Sequence, residues 1–277
     1  MPGPRVAGPP RSPNGASSFH LDWNLPRPPQ TSRLVEVSAI LEVVEPPQVS
    51  SLYFWALQVD FADERGRVWG GGHTGLQWNR RFSGHTAANW GGYASRELGG
   101  AVLTGSTPDL YVFPGDPNTM AFSWKPGRPY RFRVFRSPDL PGAWRSEVID
   151  TTGGEQVILR DLIHPGAGRM RFGRRDRGSL DPGPGYLLRP VVWSEVFADC
   201  DAPSVTARWS ELSARTADGS LVVPEAVTVN YQSHRDGGCA NTTVRTDGSG
   251  VLQVTNVLRE VEQGARLELS TGGSVDS

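Results

Sequence analysis

The sequence predicts an all-β protein, an antiparallel β-sandwich of jelly-roll type, and three observations carry that expectation. The 33 Gly and 23 Pro among 277 residues put a helix breaker at about one position in five, short of the roughly 25–30 % of an unstructured chain but too dense for long helices. Apolar residues recur at every second position over short runs, the period of a strand with one buried face. Clusters of Gly, Pro and Asp separate these runs, and no stretch keeps the spacing of an amphipathic helix.

The elements follow in order. Residues 1–17 are rich in Pro and Gly and poor in apolar side chains. They read as a disordered leader, because they bury too little surface to offset ordering entropy. Strands begin near Phe19. Over residues 34–45, Val35, Val37, Ala39, Leu41 and Val43 form one apolar set with Glu36, Ser38 and Glu42 between them, until Pro46-Pro47 ends the run. Residues 52–61 are apolar at nearly every position, as in a strand covered on both faces. The heptapeptide Gly72-His73-Thr74-Gly75-Leu76-Gln77-Trp78 is echoed as Gly84-His85-Thr86-Ala87-Ala88-Asn89-Trp90. As antiparallel neighbours turning about Arg81-Phe82, the two would set His73 against Trp90 and Trp78 against His85, on opposite faces. Tyr130, Phe132 and Val134 alternate with Arg131 and Arg133, and similar runs recur at 143–151, 155–163, 186–198, 221–231 and 251–254. Residues 18–277 therefore read as one sandwich, with 199–204 the point at which a smaller appended unit would begin.

Charge narrows the function classes. Lys plus Arg is 28 against 29 for Asp plus Glu, a formal net charge of −1, and Lys125 is the only lysine. A nucleic-acid binder needs net positive charge and a basic stripe; the densest cluster, Arg169, Arg171, Arg174, Arg175 and Arg177 around Asp176, reads as a solvated loop or strand edge. No apolar run approaches the ~18 residues of a membrane helix. Residues 1–30 carry no apolar core of a secretory signal, so the chain stays inside the cell or its export signal lies outside this sequence. Cys200 and Cys239 have no second Cys or His at zinc-site spacing. They pair as a disulfide in an oxidising compartment, stabilising the fold by roughly 4 kcal/mol through loop closure, or remain buried thiols in a reducing one.

Six of the nine tryptophans (Trp55, Trp69, Trp78, Trp90, Trp124 and Trp144) fall between residues 50 and 150. Indoles fill cores, and they also make platforms for sugar rings. Trp69, Trp78 and Trp90 are bordered by glycines that suggest loops or strand ends. With His85 and Tyr93 they form the expected ligand surface, and the expected function is a non-catalytic module for carbohydrate or another cell-envelope ligand. A glycoside hydrolase or lyase is the alternative, with Asp60 and Glu195 as catalytic candidates among the strand carboxylates. Such chemistry needs two carboxyl groups about 5–10 Å apart, and the Glu-x-Asp-x-(x)-Glu strand of common sandwich glycanases is missing. A structural or partner-binding module with inward tryptophans is the third reading. His73, His85 and His234 are candidate bases without visible partners. No Gly-x-Ser-x-Gly elbow, His-Glu-x-x-His helix or phosphate loop is present. Asn241-Thr242-Thr243 fits a glycosylation sequon. No cofactor is implied; a structural Ca²⁺ is compatible with such sandwiches, but no spacing marks it.

Two stretches resemble a bacterial family known as a domain of unknown function, whose members are often exported and often actinomycete. His73-Thr74-Gly75-Leu76-Gln77 is similar to its Gly-Tyr-x-Gly-Leu-Gln strand, with His73 where an aromatic is usual. Phe122-Ser123-Trp124-Lys125-Pro126-Gly127-Arg128-Pro129-Tyr130-Arg131-Phe132 resembles its Trp-Lys-x-Gly-x-x-Tyr-x-Phe turn and strand, in which Pro126-Gly127 reverses the chain and Trp124 and Tyr130 close over it. The strand from Trp144 to Asp150 fits as well, and the likeness spans residues 52–198. It implies a concanavalin-A-like sandwich, a fold shared by lectins, glycan-binding modules and glycanases, and an extracellular setting. It transfers no catalytic residue.

Overall fold

The computed structural model describes residues 5–26, 33–106, 116–165, 185–248 and 250–269; the arginine cluster at 169–177 lies outside them. The strands are β1 (Ser17–Asn24), β2 (Leu34–Glu45), β3 (Tyr53–Ala62), β4 (Val68–Trp78), β5 (Thr86–Ala94), β6 (Thr119–Ala121), β7 (Pro129–Arg136) and β8 (Ala143–Asp150). They continue with β9 (Gln156–Ile163), β10 (Tyr186–Val196), β11 (Val205–Thr216), β12 (Leu221–Val222), β13 (Ala226–Tyr231), β14 (Thr242–Thr246), β15 (Val251–Thr255) and β16 (Arg266–Glu268). Three single turns of 3₁₀ helix are the only helical segments among the described residues, and none is long and apolar enough to cross a membrane.

The architecture is an antiparallel β-sandwich. One layer runs β16, β13, β1, β10, β3, β4, β5, β6; the other runs β14, β15, β11, β2, β7, β8, β9, with β12 on the edge of β11. A single pair, Leu187 of β10 with Leu34 of β2, stitches the layers into one sheet. The alternation read from the sequence decides what faces inward. In β2 the buried set is Val37, Ala39, Leu41 and Val43, and in β3 it is Tyr53, Trp55, Leu57, Val59 and Phe61. Hydrogen bonds cross the core: Ser146 Oγ of β8 donates to Thr74 Oγ1 of β4 at 2.7 Å, and Gln253 Nε2 of β15 donates to the Phe19 carbonyl of β1 at 2.6 Å. Each satisfies polar atoms that would cost free energy if buried alone.

The Pro126-Gly127 reversal forms as its residues predict. Gly127 sits at φ +70°, a left-handed conformation that glycine adopts without strain. Lys125 N donates to Tyr130 Oη at 2.9 Å, and Trp124 Nε1 donates to the Gln77 carbonyl at 3.0 Å. One strand expectation is corrected, and the alternative of an appended unit after 199–204 is not what forms. The run at 221–231 is two strands, β12 and β13, divided at Pro224, which cannot donate to a ladder. The chain after 199–204 supplies β11 to one layer and β13 to the other, so it completes the sandwich rather than forming an appended unit.

The leader also departs from its composition. Residues 5–16 lie against the loops around Cys200 and Cys239, held by hydrogen bonds along their length with Pro10 and Ala16 buried. Arg5 Nη2 reaches the Ala202 and Asn256 carbonyls at 2.7 Å each, Gly8 N donates to Asp201 Oδ1 at 2.9 Å, and Arg11 N donates to the Gly237 carbonyl at 2.7 Å. Cys200 and Cys239 are joined in a disulfide with Cα atoms 5.2 Å apart.

Candidate functional site

Glycine placement explains why the expected aromatic surface does not exist. A Cβ on Gly72 would lie 2.7 Å from both the Phe61 and Trp90 rings. Gly72 thus makes room for an indole in the core, and Gly70 and Gly75 are crowded by the backbone of neighbouring strands, so these glycines do not mark loops. Trp90 is 0 % exposed and donates its Nε1 to the Trp144 carbonyl at 3.3 Å. Trp69 is buried between Phe61, at 4.9 Å between ring centroids, and His164, at 4.4 Å. Trp78 is half-buried with Nε1 on the Val49 carbonyl at 2.8 Å, and it meets His85 edge-on at 4.8 Å beside the β4–β5 loop. Only Tyr93, 55 % exposed, lies open, at the opposite end of the β4–β5 pair from that loop. Trp69, Trp78, His85, Trp90 and Tyr93 therefore share no surface. The sequon asparagine is also committed: Asn241 is buried, with Nδ2 on the Val6 and Cys200 carbonyls at 2.7 Å each.

The other face of the first layer gathers a different set. Strand register puts Ser18, His20 and Asp22 of β1, Val191, Trp193 and Glu195 of β10, and Phe54, Ala56, Gln58 and Asp60 of β3 on it. His73 of β4 and Asn89 and Tyr93 of β5 continue it. Trp193 is its hub. Its ring meets Phe54 at 5.0 Å, His73 at 5.8 Å and His20 at 6.0 Å, and its Nε1 donates to Gln58 Oε1 at 3.0 Å. Burial holds the His73 imidazole at a pKa of about 4 and pushes His20 down as well, against the pull of Asp22. Both are neutral near pH 7. Asn89 Oδ1, buried on this face, has no hydrogen-bond partner among the described residues.

Asp60 and Glu195 both point outward here, yet they do not form a pair. Glu195 is opposite Phe54, and Asp60 is opposite Leu188, so roughly 20 Å of strand separates them at ~3.3 Å per residue. That is too far for two-carboxylate glycoside chemistry. Burial raises the proton affinity of both. Asp60 is matched by Arg189, as Glu147 is by Arg133, Asp161 by Arg145 and Asp150 by Arg128. Glu195 has no ion pair among the described residues. Its hydrogen bond comes from a neutral amide, Asn14 Nδ2 at 2.8 Å from Oε1. A half-buried carboxyl left without a cation is the arrangement that tunes a proton-transfer group. Glu195 was visible in the sequence as a strand carboxylate; Asn14, 181 residues away, carried no signal.

A cavity of about 730 Å³ lies on the other layer, lined by Ser38, Trp209, Leu221 and Val223 among others. Its Arg131 and Arg133 are bound to Glu211 and Glu36, and its Arg215 donates to the Gly219 carbonyl. No group of three or more His, Cys, Asp or Glu suited to a metal occurs among the described residues.

No family model and no curated protein matches the chain. Among solved structures it is similar to Scytalido-glutamic peptidase bound to a peptide-based transition-state analogue, at 11 % identity and TM-score 0.42, over 86 % of this chain and 98 % of that one. It is also similar to SCP-B, an eqolisin-family peptidase in complex with the tripeptide Ala-Ile-His, at 12 % identity and TM-score 0.40, over 86 % and 98 %. The expectation of a non-catalytic carbohydrate or envelope-ligand module is overturned. The indoles it relied on are buried or tied into the fold.

Proposed function

We propose that the outward face of β1, β10, β3, β4 and β5 is the working face of an acid–base hydrolase, with Glu195 as the proton carrier and an extended polypeptide as substrate. The observation that carries this reading is the state of Glu195: its proton affinity is raised by burial and no cation among the described residues pairs with it. A carboxyl in that condition exchanges protons readily on the acid side of neutrality. In the reaction, water adds to a substrate amide carbon while the Glu195 carboxylate takes its proton. The same proton passes to the amide nitrogen as the C–N bond breaks, leaving an amine and a carboxylic acid.

The surroundings favour a polypeptide. Gln58, Asn14 and Asn89 offer primary amides, which donate and accept in the pattern of a peptide group, and the buried Asn89 Oδ1 lacks a donor among the described residues. Phe54 lies opposite Glu195, and Trp193, two residues before it on the same face, packs on the Phe54 ring. Incubation with a mixture of denatured proteins between pH 3 and 7, read by mass spectrometry for new chain termini, tests the proposal. Cleavage is expected, reduced roughly 10²–10⁴-fold in Glu195→Gln. No new termini at any pH, or full cleavage by Glu195→Gln, refutes it.

A further inference from the structure

The anchors of residues 5–16 cluster in one place. Ala202, Asp201 and the Cys200 amide, which donates to the Gly8 carbonyl at 2.7 Å, sit within two residues of Cys200. Gly237 and Asn241 sit within two residues of Cys239; Asn241 Oδ1 accepts from Val6 N at 3.0 Å, and its Nδ2 donates to the Val6 carbonyl. Beyond these, the segment before Ser12 is held by the Asn256 carbonyl, through Arg5. The far end of the segment is a tight turn. Ser12 Oγ bonds the Ala16 carbonyl at 2.5 Å and the Asn14 side chain at 2.8 Å, and Gly15 N donates to the Ser12 carbonyl at 2.9 Å. Asn14, projecting from that turn, supplies the hydrogen bond to Glu195. The disulfide joins the loop after β10 to the loop before β14, and those two loops carry nearly every anchor.

We infer that residues 5–16 are a strap that delivers Asn14 to Glu195 and that the Cys200–Cys239 disulfide is the clamp on that strap, so that opening the disulfide withdraws Asn14 from the carboxyl. Asn14 is a positioning residue: it fixes one carboxyl oxygen and steadies the ionised form, because a hydrogen bond to the charged state favours that state. A dithiol reductant opens the clamp. The reductant gives up two electrons and two protons and becomes a disulfide, the Sγ–Sγ bond breaks, and each cysteine becomes a thiol. The groups that face Glu195 from neighbouring elements are Asn14 of the strap, Ser18 of β1 and Phe54 of β3, with His20 one outward position further along β1. None of these is a cation near pH 7, His20 being neutral there.

The consequence for catalysis rests on the proposed role of Glu195, but the geometry does not, and the test keeps the two apart. The full chain, carrying ¹³C-carboxyl glutamate, is titrated by NMR as wild type, as Asn14→Ala and after dithiothreitol, with Glu195→Gln identifying the resonance. Amide hydrogen exchange at Val6, Gly8 and Arg11 is followed alongside. The Glu195 midpoint is expected to rise in Asn14→Ala and in the reduced protein. On reduction the strap amides should exchange at least tenfold faster while Phe19 and Leu21 of β1 keep their protection. An unchanged midpoint in Asn14→Ala overturns the positioning role. Strap amides that stay protected after reduction, or a reduced chain that loses β1 as well, overturn the clamp. A shifted midpoint in a protein that cleaves nothing leaves this inference standing and removes the hydrolase.

Discussion

Trp90→Ala measures whether the indoles hold the sandwich together. The ring is fully enclosed, meets Phe61 at 6.0 Å between centroids and fills the space over Gly72. A buried tryptophan removes about 150–250 Å² from water, which at ~25 cal/mol per Å² is about 5 kcal/mol. A compact denatured state lowers that by roughly 10–40 %. The lost Nε1 bond to the Trp144 carbonyl adds about 1 kcal/mol. The total, about 4–5 kcal/mol, agrees with the ~3–5 kcal/mol usual for Trp→Ala in cores. For a chain of this size it lowers Tm by roughly 8–20 °C, at ~2–4 °C per kcal/mol. Tyr93→Ala, three positions along the same strand but 55 % exposed, is the control and should change stability by less than about 0.5 kcal/mol. Urea titration and thermal melting by near-ultraviolet circular dichroism read both. A Trp90→Ala protein melting within about 2 °C of the wild type, against the shift expected for a core residue of this size, would show that the ring is not a core element.

Two further predictions follow from charge. His73 is held at a pKa of about 4, below the ~6.5 of an unfolded histidine. The unfolded chain therefore binds the extra proton first as pH falls, and stability present above pH ~6.5 declines toward pH 4 by up to roughly 3 kcal/mol. His73→Gln should flatten that acid limb in urea titrations from pH 4 to 7, and an unchanged slope would contradict the burial of the ring. Arg133 bridges Glu36 and Glu147, and Glu147 is 2 % exposed with Gln156 Nε2 at 2.6 Å as its other partner. Arg133→Ala strands a buried carboxylate and should cost about 3–5 kcal/mol. Adding Glu147→Gln should recover part of it, and additive losses in the double mutant would show that the two groups are not coupled.

Strand identity was legible because alternation survives in sequence: the inward Val37, Ala39, Leu41 and Val43 of β2 need only a two-residue period. Register was harder. The echo centred on Arg81-Phe82 predicts His73 opposite Trp90, whereas the β4–β5 pair sets Thr74 opposite Trp90 and His73 opposite Gly91. The connection runs from Asn79 to His85, with His85 at φ +61° inside it, and so turns about Phe82 alone. A shift of one residue moves side chains to opposite faces, which is how Trp90 comes to lie in the core and His73 on the outer face. Glycines misled for a related reason. In sequence they resemble loop signals, and only packing distances such as that from Gly72 to the Trp90 ring reveal close approach. The leader was misjudged because composition registers apolar burial but not backbone carbonyls such as those of Ala202 and Gly237, which hold it. Glu195 could be named; that no cation among the described residues pairs with it could not, since that depends on what every other strand brings near it.

The order of pairing has a consequence for how the chain is made. β1 lies between β10 and β13, with Ser17 beside Val196 and Phe19 beside Tyr231. At ribosomal speeds of ~5–20 residues per second, it emerges roughly ten to forty seconds before either neighbour exists. During that interval the apolar face of β1, with Phe19, Leu21 and Trp23, lacks its partners. The first strand to be made is therefore among the last to find its place.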